Sequence, residues 1–198
     1  MTRVVVFVDY GTARWSGHET FGNLPLDEHP PELDPIALSQ LIVRGRGTEC
    51  ELTEVRIYRA VPNGRIDERG FSLALWQLDR WARAGAVVVR RPTREIDPRI
   101  RTGNPSSIVV ALAIDVVLLA WRDRYDVAIV CSSDEDLEPA LKAVLDQTWK
   151  NVEVAAWRSP TRRSPRLIVA GERIRCHWLG ADLYAKVVDH PDLATSGA

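Results

Sequence analysis

Short apolar runs alternate with helical stripes along most of the chain, and this alternation is the strongest constraint on its fold. Residues 4–8 are a continuous run of strand-forming residues, which indicates a strand buried on both faces. Farther along, apolar residues recur at the spacing of an amphipathic helix: Phe71, Leu75, Leu78 and Ala82. Strands that alternate with helices predict a parallel sheet covered on both faces. We therefore expect an α/β three-layer sandwich with a mainly parallel central sheet of about five strands.

The predicted elements form a single domain over residues 1–188. Strands are expected at 4–8, 52–60, 87–89, 127–131 and 152–157, with one more strand and a short helix within 167–188. Asp34 followed by Pro35 is typical of a helix start, which predicts a helix over 36–43. Segments without apolar periodicity predict long loops at 10–34, 90–105 and 158–166 and a flexible tail at 189–198.

One predicted helix carries a single charged residue in an otherwise apolar sequence. It begins near Ser106 or Ser107, and every residue from 108 to 121 except Asp115 is apolar. This pattern predicts a helix buried nearly all round. An ionised carboxylate in such a helix needs a cation or several hydrogen-bond donors, and an Arg partner is one alternative.

Composition excludes several classes of protein. Apolar residues make up 45% and charged residues 27% of the 198 residues, which excludes disordered and coiled-coil chains. A net charge of −1 excludes a globally basic nucleic-acid binder. The sequence lacks an apolar run long enough to span a membrane or to form a signal peptide, so we expect a cytoplasmic protein without membrane contact. The three cysteines lie far apart, which argues against a disulfide framework or a zinc knuckle.

Acidic residues follow two of the predicted strands. Asp9 ends the first strand, and Asp134 and Asp136 follow the fourth. Ligands of open α/β sheets bind beyond the carboxyl ends of the strands, although each of these acids could also be a turn or helix cap. If Asp115 joins them, the repulsion among four carboxylates is best compensated by a divalent metal, and oxygen ligands favour Mg²⁺ or Mn²⁺. No phosphate-binding loop, dinucleotide fingerprint or nucleophile elbow is present in the sequence.

The chain resembles a known family in the segments around these acids. The carrying motifs are Ala113-Ile114-Asp115, then Tyr125-Asp126-Val127-Ala128-Ile129-Val130, then Ser132-Ser133-Asp134-Glu135-Asp136-Leu137-Glu138-Pro139. These motifs resemble the NYN domains of the PIN-like nuclease superfamily. The resemblance implies a PIN-like sandwich and a Mg²⁺- or Mn²⁺-dependent ribonuclease. It also implies that Asp9, Asp115, Asp134 and Asp136 are the catalytic and metal-binding residues.

The sequence departs from the family pattern at three places. Thr12 stands where family members usually have Asn, and Ser133 replaces a Gly. Ser106-Ser107-Ile108-Val109 stands in place of Lys-Gly-Val-Asp, so one Lys and one acid are missing. These departures leave open a weakened NYN-like module that binds RNA or a protein partner without cleavage. A phosphatase that acts on small molecules is a third hypothesis for the function.

Other residues are candidates for substrate binding. Thr12 and Ser132 could hold a phosphate or a metal-bound water, although a local backbone hydrogen bond is the simpler explanation for each hydroxyl. Arg-rich segments supply Arg91, Arg162 and Arg163 as candidate phosphate contacts, unless the segments are only solvated loops. Trp15 could stack on an unpaired base. The sequence leaves the oligomeric state open, a homo-oligomer included.

Overall fold

Six parallel strands form the central sheet of the computed structural model, which describes residues 1–22, 30–47, 49–93 and 107–188. The strands are β1 (Thr2–Asp9), β2 (Cys50–Val61), β3 (Val87–Pro92), β4 (Val127–Cys131), β5 (Asn151–Trp157) and β6 (Arg175–Leu179). Their order across the sheet is β3-β2-β1-β4-β5-β6, and every neighbouring pair is parallel. The predicted α/β sandwich is confirmed, and β6 is the additional strand expected within 167–188.

Helices cover both faces of this sheet. They are α1 (Tyr10–Phe21), α2 (Pro35–Arg44), α3 (Glu68–Arg83), α4 (Ser107–Trp121), α5 (Glu138–Gln147) and α6 (Ala181–Val187), and a 3₁₀ turn spans Glu135–Leu137. Along β1, Val4, Val6 and Val8 pack in a core with α1, α2, α3 and α6. Val5 and Phe7 pack in a second core with α4 and α5. Alternate side chains of a strand point to opposite faces, so β1 contributes to both cores.

The loop predicted for residues 10–34 is wrong over its first half, because α1 begins directly after β1. The α1 sequence has no apolar stripe that would reveal a helix, and it contains Gly11 and Gly17. Tertiary packing compensates for this weak pattern. A Cβ atom on Gly17 would lie 2.9 Å from Tyr184 and 3.1 Å from Trp157, so the glycine allows the helix to approach these rings closely.

The helix predicted to be buried nearly all round is α4, and this prediction is also wrong. One face packs in the second core, but four large apolar residues are exposed: Val110, Ile114, Leu118 and Trp121. An outer helix of a three-layer sandwich has a face that the sheet cannot cover. Apolar composition alone does not distinguish that face from the buried one.

The remaining predictions differ in how far the structure describes them. The loop expected at 158–166 contains a tight turn, in which Ser159 donates its backbone N–H to the carbonyl of Arg162 at 2.7 Å. Residues 94–105 of the loop expected at 90–105, Ser106 and the tail at 189–198 lie outside the described residues. None of the helices in the described ranges is both long enough and apolar enough to cross a membrane.

Candidate acidic site at the carboxyl edge of the sheet

The change in strand order places two of the predicted acids at one edge of the sheet. β2 and β3 lie on one side of β1, and β4, β5 and β6 lie on the other side. The strand order therefore reverses between β1 and β4, which makes this pair the topological switch point. Asp9 is the last residue of β1, and Asp134 lies three residues beyond the end of β4. Open α/β sheets bind ligands at such a switch point.

Asp9 is a buried carboxylate held by hydroxyl and amide donors. Only 6% of the residue is exposed. It caps α1 and accepts hydrogen bonds from the Thr12 N–H at 3.3 Å, the Thr12 hydroxyl at 2.7 Å and the Ser132 hydroxyl at 3.2 Å. Burial raises the pKa of Asp9, and the charge of Asp134 adds to this effect against the opposing hydrogen bonds. Within the described ranges, no Lys, Arg or His forms an ion pair with Asp9.

Ser132 connects Asp9 to the acids that follow β4. Its hydroxyl donates to Asp9 and accepts a hydrogen bond from the backbone N–H of Asp134 at 3.2 Å. The Asp134 side chain caps the 3₁₀ turn by accepting the Asp136 N–H at 3.0 Å. Asp136 is itself exposed. The local sequence therefore folds as a series of caps that fixes the positions of Asp9 and Asp134.

Asp9 and Asp134 line a cavity of about 460 Å³. The cavity lies between α1 and α4, above the ends of β1 and β2. Its other lining residues are Gly11, Thr12, Trp15, Ser16, Glu19, Ala60, Ile108, Val109, Ser133 and Pro165. Its volume lies in the range of about 300–1,000 Å³ that is typical of ligand pockets.

Asp115 does not belong to this cavity. Its carboxylate accepts hydrogen bonds from the Arg56 guanidinium at 2.9 Å and the Tyr58 hydroxyl at 2.7 Å, both on β2. Burial and the hydrogen bond to Asp115 raise the pKa of Tyr58. Asp115 lies six residues beyond Val109, which is roughly 9 Å farther along α4 at 1.5 Å per residue. The helix therefore presents Val109, and not Asp115, to the cavity.

The expected cluster of four carboxylates is consequently absent from the structure. No group of three or more His, Cys, Asp or Glu side chains is placed to hold a metal ion among the residues described. Asp9 and Asp134 share the cavity, Asp136 points its backbone N–H at Asp134 from an exposed turn, and Asp115 pairs with Arg56. The Arg partner that the sequence left open for Asp115 is the arrangement observed.

The predicted substrate-binding residues lie at different distances from the cavity. Thr12 lines the cavity, and the Ser132 hydroxyl donates a hydrogen bond to the cavity residue Asp9. Arg91 is exposed at the end of β3, paired in register with the cavity residue Ala60. Arg162 donates to the carbonyl of Glu19, another cavity residue, at 3.1 Å. Arg163 forms an isolated bridge with Arg158 and does not line the cavity.

Sequence reasoning missed most of the cavity wall. The wall from α1 consists of residues at helical spacing: Gly11, Thr12, Trp15, Ser16 and Glu19. The local signal for this face is Asp9 as a possible N-cap with Thr12 three residues later, but the residues that follow lack the apolar stripe that would predict a helix. Ile108 on α4 and Pro165 after β5 could not be assigned to the site before the sheet order was known.

The donor set fits one hydrated divalent ion better than two. Mg²⁺ keeps several waters in proteins and is usually held by one or two carboxylates together with substrate phosphates. Asp9 and Asp134 supply two carboxylates at a cavity wall, and Asp9 has no cationic partner in the described part of the chain. A site for two ions would need further carboxylates, and Val109 occupies the wall where α4 reaches the cavity.

Comparison with known proteins agrees with this architecture. A crystal structure of a protein of unknown function from Vibrio parahaemolyticus RIMD 2210633 is similar, with a TM-score of 0.50 and 15% sequence identity. The match covers 78% of this chain and 80% of that chain, and at this identity it shows the fold alone. No curated protein matches the chain. A family model described as NYN domain matches residues 3–173, which is most of the sequence, and the chain therefore belongs to the NYN domain family.

Proposed function

We propose that this NYN domain is a ribonuclease that depends on one Mg²⁺ or Mn²⁺ ion held by Asp9 and Asp134. NYN domains are generally nucleases, and the fold of this chain is nuclease-like. The observation that carries the proposal is the pair of acids at the cavity wall. Asp9 is buried and forms no ion pair with a cation among the described residues. A bound cation would therefore offset the cost of burying its ionised carboxylate.

The residues around the pair have distinct roles in this proposal. Thr12 and Ser132 donate hydrogen bonds that orient the Asp9 carboxylate and favour its ionised form. The N-terminus of α1 lies at the site, and the positive end of its helix dipole attracts phosphate. A divalent ion, when bound, supplies polarisation of the scissile phosphate and a water of lowered pKa. Arg162, whose guanidinium donates to the carbonyl of the cavity residue Glu19, would contact the phosphates of an RNA strand that enters the cavity.

A cleavage assay tests this function. Wild-type protein, Asp9→Asn and Asp134→Asn are compared on single-stranded and structured RNA with and without millimolar Mn²⁺. Asp115→Asn is the matched control, because it neutralises an acid outside the cavity. We expect Mn²⁺-dependent cleavage that falls at least tenfold in the two cavity variants and persists in the control. Equal residual cleavage in all four proteins indicates a contaminating enzyme and contradicts the proposal.

A second candidate is an RNA-binding module that does not cleave, and Val109 favours it. This buried residue lines the cavity where a third carboxylate would complete a stronger ion site. The variant Val109→Asp separates the two candidates. If wild-type protein binds RNA without cleaving it and Val109→Asp gains Mn²⁺-dependent cleavage, the chain is a binding module on a nuclease fold. If wild-type protein already cleaves, the second candidate is excluded.

A further inference from the structure

The cavity has an aromatic wall that ion binding does not require. Trp15 lines the cavity from α1, and 41% of this residue is exposed. It is the sixth residue of the helix that Asp9 caps, and it lines the cavity together with both acids. The hydrogen bonds that hold Asp9 come from Thr12 and Ser132 and do not involve Trp15.

An aliphatic wall comes from the other side of the sheet. Ile108 and Val109 are buried residues of α4, and both line the same cavity. α1 packs in the first core and α4 in the second, so the two helices lie on opposite faces of the sheet. The cavity at the carboxyl edge thus has an indole on one side, aliphatic side chains on the other and two carboxylates between them.

These walls match the chemistry of a nucleobase. The two faces of a base are apolar and stack on aromatic side chains, and base amino groups donate hydrogen bonds to carboxylates. A base within a duplex is already stacked on both faces and paired along its edge. Only an unpaired base can therefore enter between the two walls.

We propose that the cavity binds an unpaired base of single-stranded RNA, stacked on Trp15. The choice of RNA rests on the proposed function, but the stacking site does not depend on cleavage. Arg162 contacts the backbone of Glu19 at the rim, where its guanidinium can meet the phosphate that follows the bound base. The site thus selects single strands over duplexes.

Binding is measured by fluorescence anisotropy of a labelled RNA strand of about ten nucleotides in EDTA, where ion-dependent cleavage does not occur. Trp15→Ala is expected to weaken binding of the strand by about tenfold, the loss typical of one stacked base. Trp15→Phe retains an aromatic face and is expected to bind within about threefold of wild type. Trp149→Ala is the matched control, since Trp149 is fully exposed and lies outside the cavity. It is expected to have no effect, and thermal melting confirms that each variant is folded.

The outcomes separate this inference from the proposed function. Wild-type affinity in Trp15→Ala, or an equal loss with the duplex of the same strand, overturns the inference even if the protein cleaves RNA. Absence of strand binding in wild-type protein also overturns it. If a nucleoside monophosphate at the same concentration as the RNA strand displaces it, the cavity binds free nucleotides. This result overturns the proposal that it binds single-stranded RNA. If binding of the RNA strand depends on Trp15 but the protein shows no cleavage with Mn²⁺, the inference is supported and the proposed nuclease function is excluded.

Discussion

Asp9 and Asp115 carry the same side chain in opposite electrostatic surroundings. Asp115 forms an ion pair with Arg56 and accepts a hydrogen bond from the hydroxyl of Tyr58, which gives it a structural role in joining α4 to β2. Asp9 receives hydrogen bonds from Thr12 and Ser132 but no ion pair in the described part of the chain. The sequence located both carboxylates, but Ser132, Arg56 and Tyr58 are distant in sequence from the acids that they contact, so these contacts could not be read from local spacing.

Replacing Asp9 with Asn is expected to stabilise the protein when no divalent ion is present. Burial of the ionised carboxylate opposes folding, because it raises the pKa of Asp9 above its value in the unfolded chain. Above that folded-state pKa, removal of the charge removes the penalty. Chemical denaturation at neutral pH in EDTA measures the effect, and we expect the free energy of unfolding to rise relative to wild type. A clear loss of stability would contradict the description of Asp9 as an uncompensated charge.

Replacing Asp115 with Asn is expected to have the opposite effect. The change removes the negative charge that faces Arg56, a pair whose side chains are mostly buried. Loss of a hydrogen-bonded charge pair of this kind destabilises a protein by about 1–3 kcal/mol. In a double-mutant cycle with Arg56→Met, the two losses are expected to be non-additive. Additive losses would show that the pair does not contribute through its mutual contact.

At the scale of the elements, helices and strands with a clear local pattern could be predicted from the sequence. The helix α1, which is stabilised mainly by packing, could not. Asp34 and Pro35 mark the start of α2, and the Asp34 carboxylate accepts the N–H groups of Ile36 and Ala37 as expected. β4 has the predicted bounds. α1 lacks an apolar stripe and is stabilised by its cap and by its contact with Trp157, which comes from a distant strand. A helix of this kind becomes visible only when the sheet order is known.

The two glycines of α1 provide a matched test of that packing. Alanine favours helices over glycine by up to about 1 kcal/mol, so Gly11→Ala is expected to be neutral or stabilising, since the nearest atom to a Cβ there is 3.8 Å away. At Gly17 the added methyl would meet Tyr184 and Trp157, and we expect a loss of about 1–3 kcal/mol. Thermal melting of both variants measures the difference. Equal stability of the two would contradict the close approach of α1 to these rings.

At the scale of the whole molecule, a buried ion pair between Arg46 and Glu153 connects the end of α2 to the last strands of the sheet. Glu153 on β5 accepts hydrogen bonds from Arg46, just beyond α2, at 3.0 and 3.2 Å. Arg46 contacts both carboxylate oxygens, and Oε2 also lies 2.6 Å from Nε2 of His177 on β6. Burial alone would raise the pKa of Glu153, but the hydrogen bonds from His177 and Arg46 outweigh it and lower the pKa to about 2.

This lowered pKa predicts how stability depends on pH. A carboxyl group with a depressed pKa stabilises the folded state above its unfolded pKa of about 4.5, and this contribution is lost as pH falls toward 2. Glu153→Gln is therefore expected to lower the free energy of unfolding by on the order of 2 kcal/mol at pH 7. Urea denaturation at several pH values should show the difference from wild type shrinking between pH 4.5 and 2. A difference that stays constant over that range would contradict the assignment.

The fold could be predicted from the sequence because local apolar patterns indicate the alternation of strands and helices. The candidate site could be predicted only in part, because it depends on which strands are neighbours and on how far each helix reaches. Asp9 and Asp134 were located correctly at one edge, since both follow strands that flank the switch point. Asp115 was grouped with them because of its charge in an apolar helix and because of the family resemblance, although its position along α4 faces β2.

Binding of a divalent ion by Asp9 and Asp134 is the central claim, and a thermal shift titration with Mn²⁺ tests it most directly. An ion that binds only the folded protein raises its melting temperature by mass action. We expect a rise of several degrees at millimolar Mn²⁺ in wild-type protein and in Asp115→Asn. Asp9→Asn and Asp134→Asn should show no rise. The absence of a shift in wild-type protein, or the same shift in all four proteins, would contradict the claim.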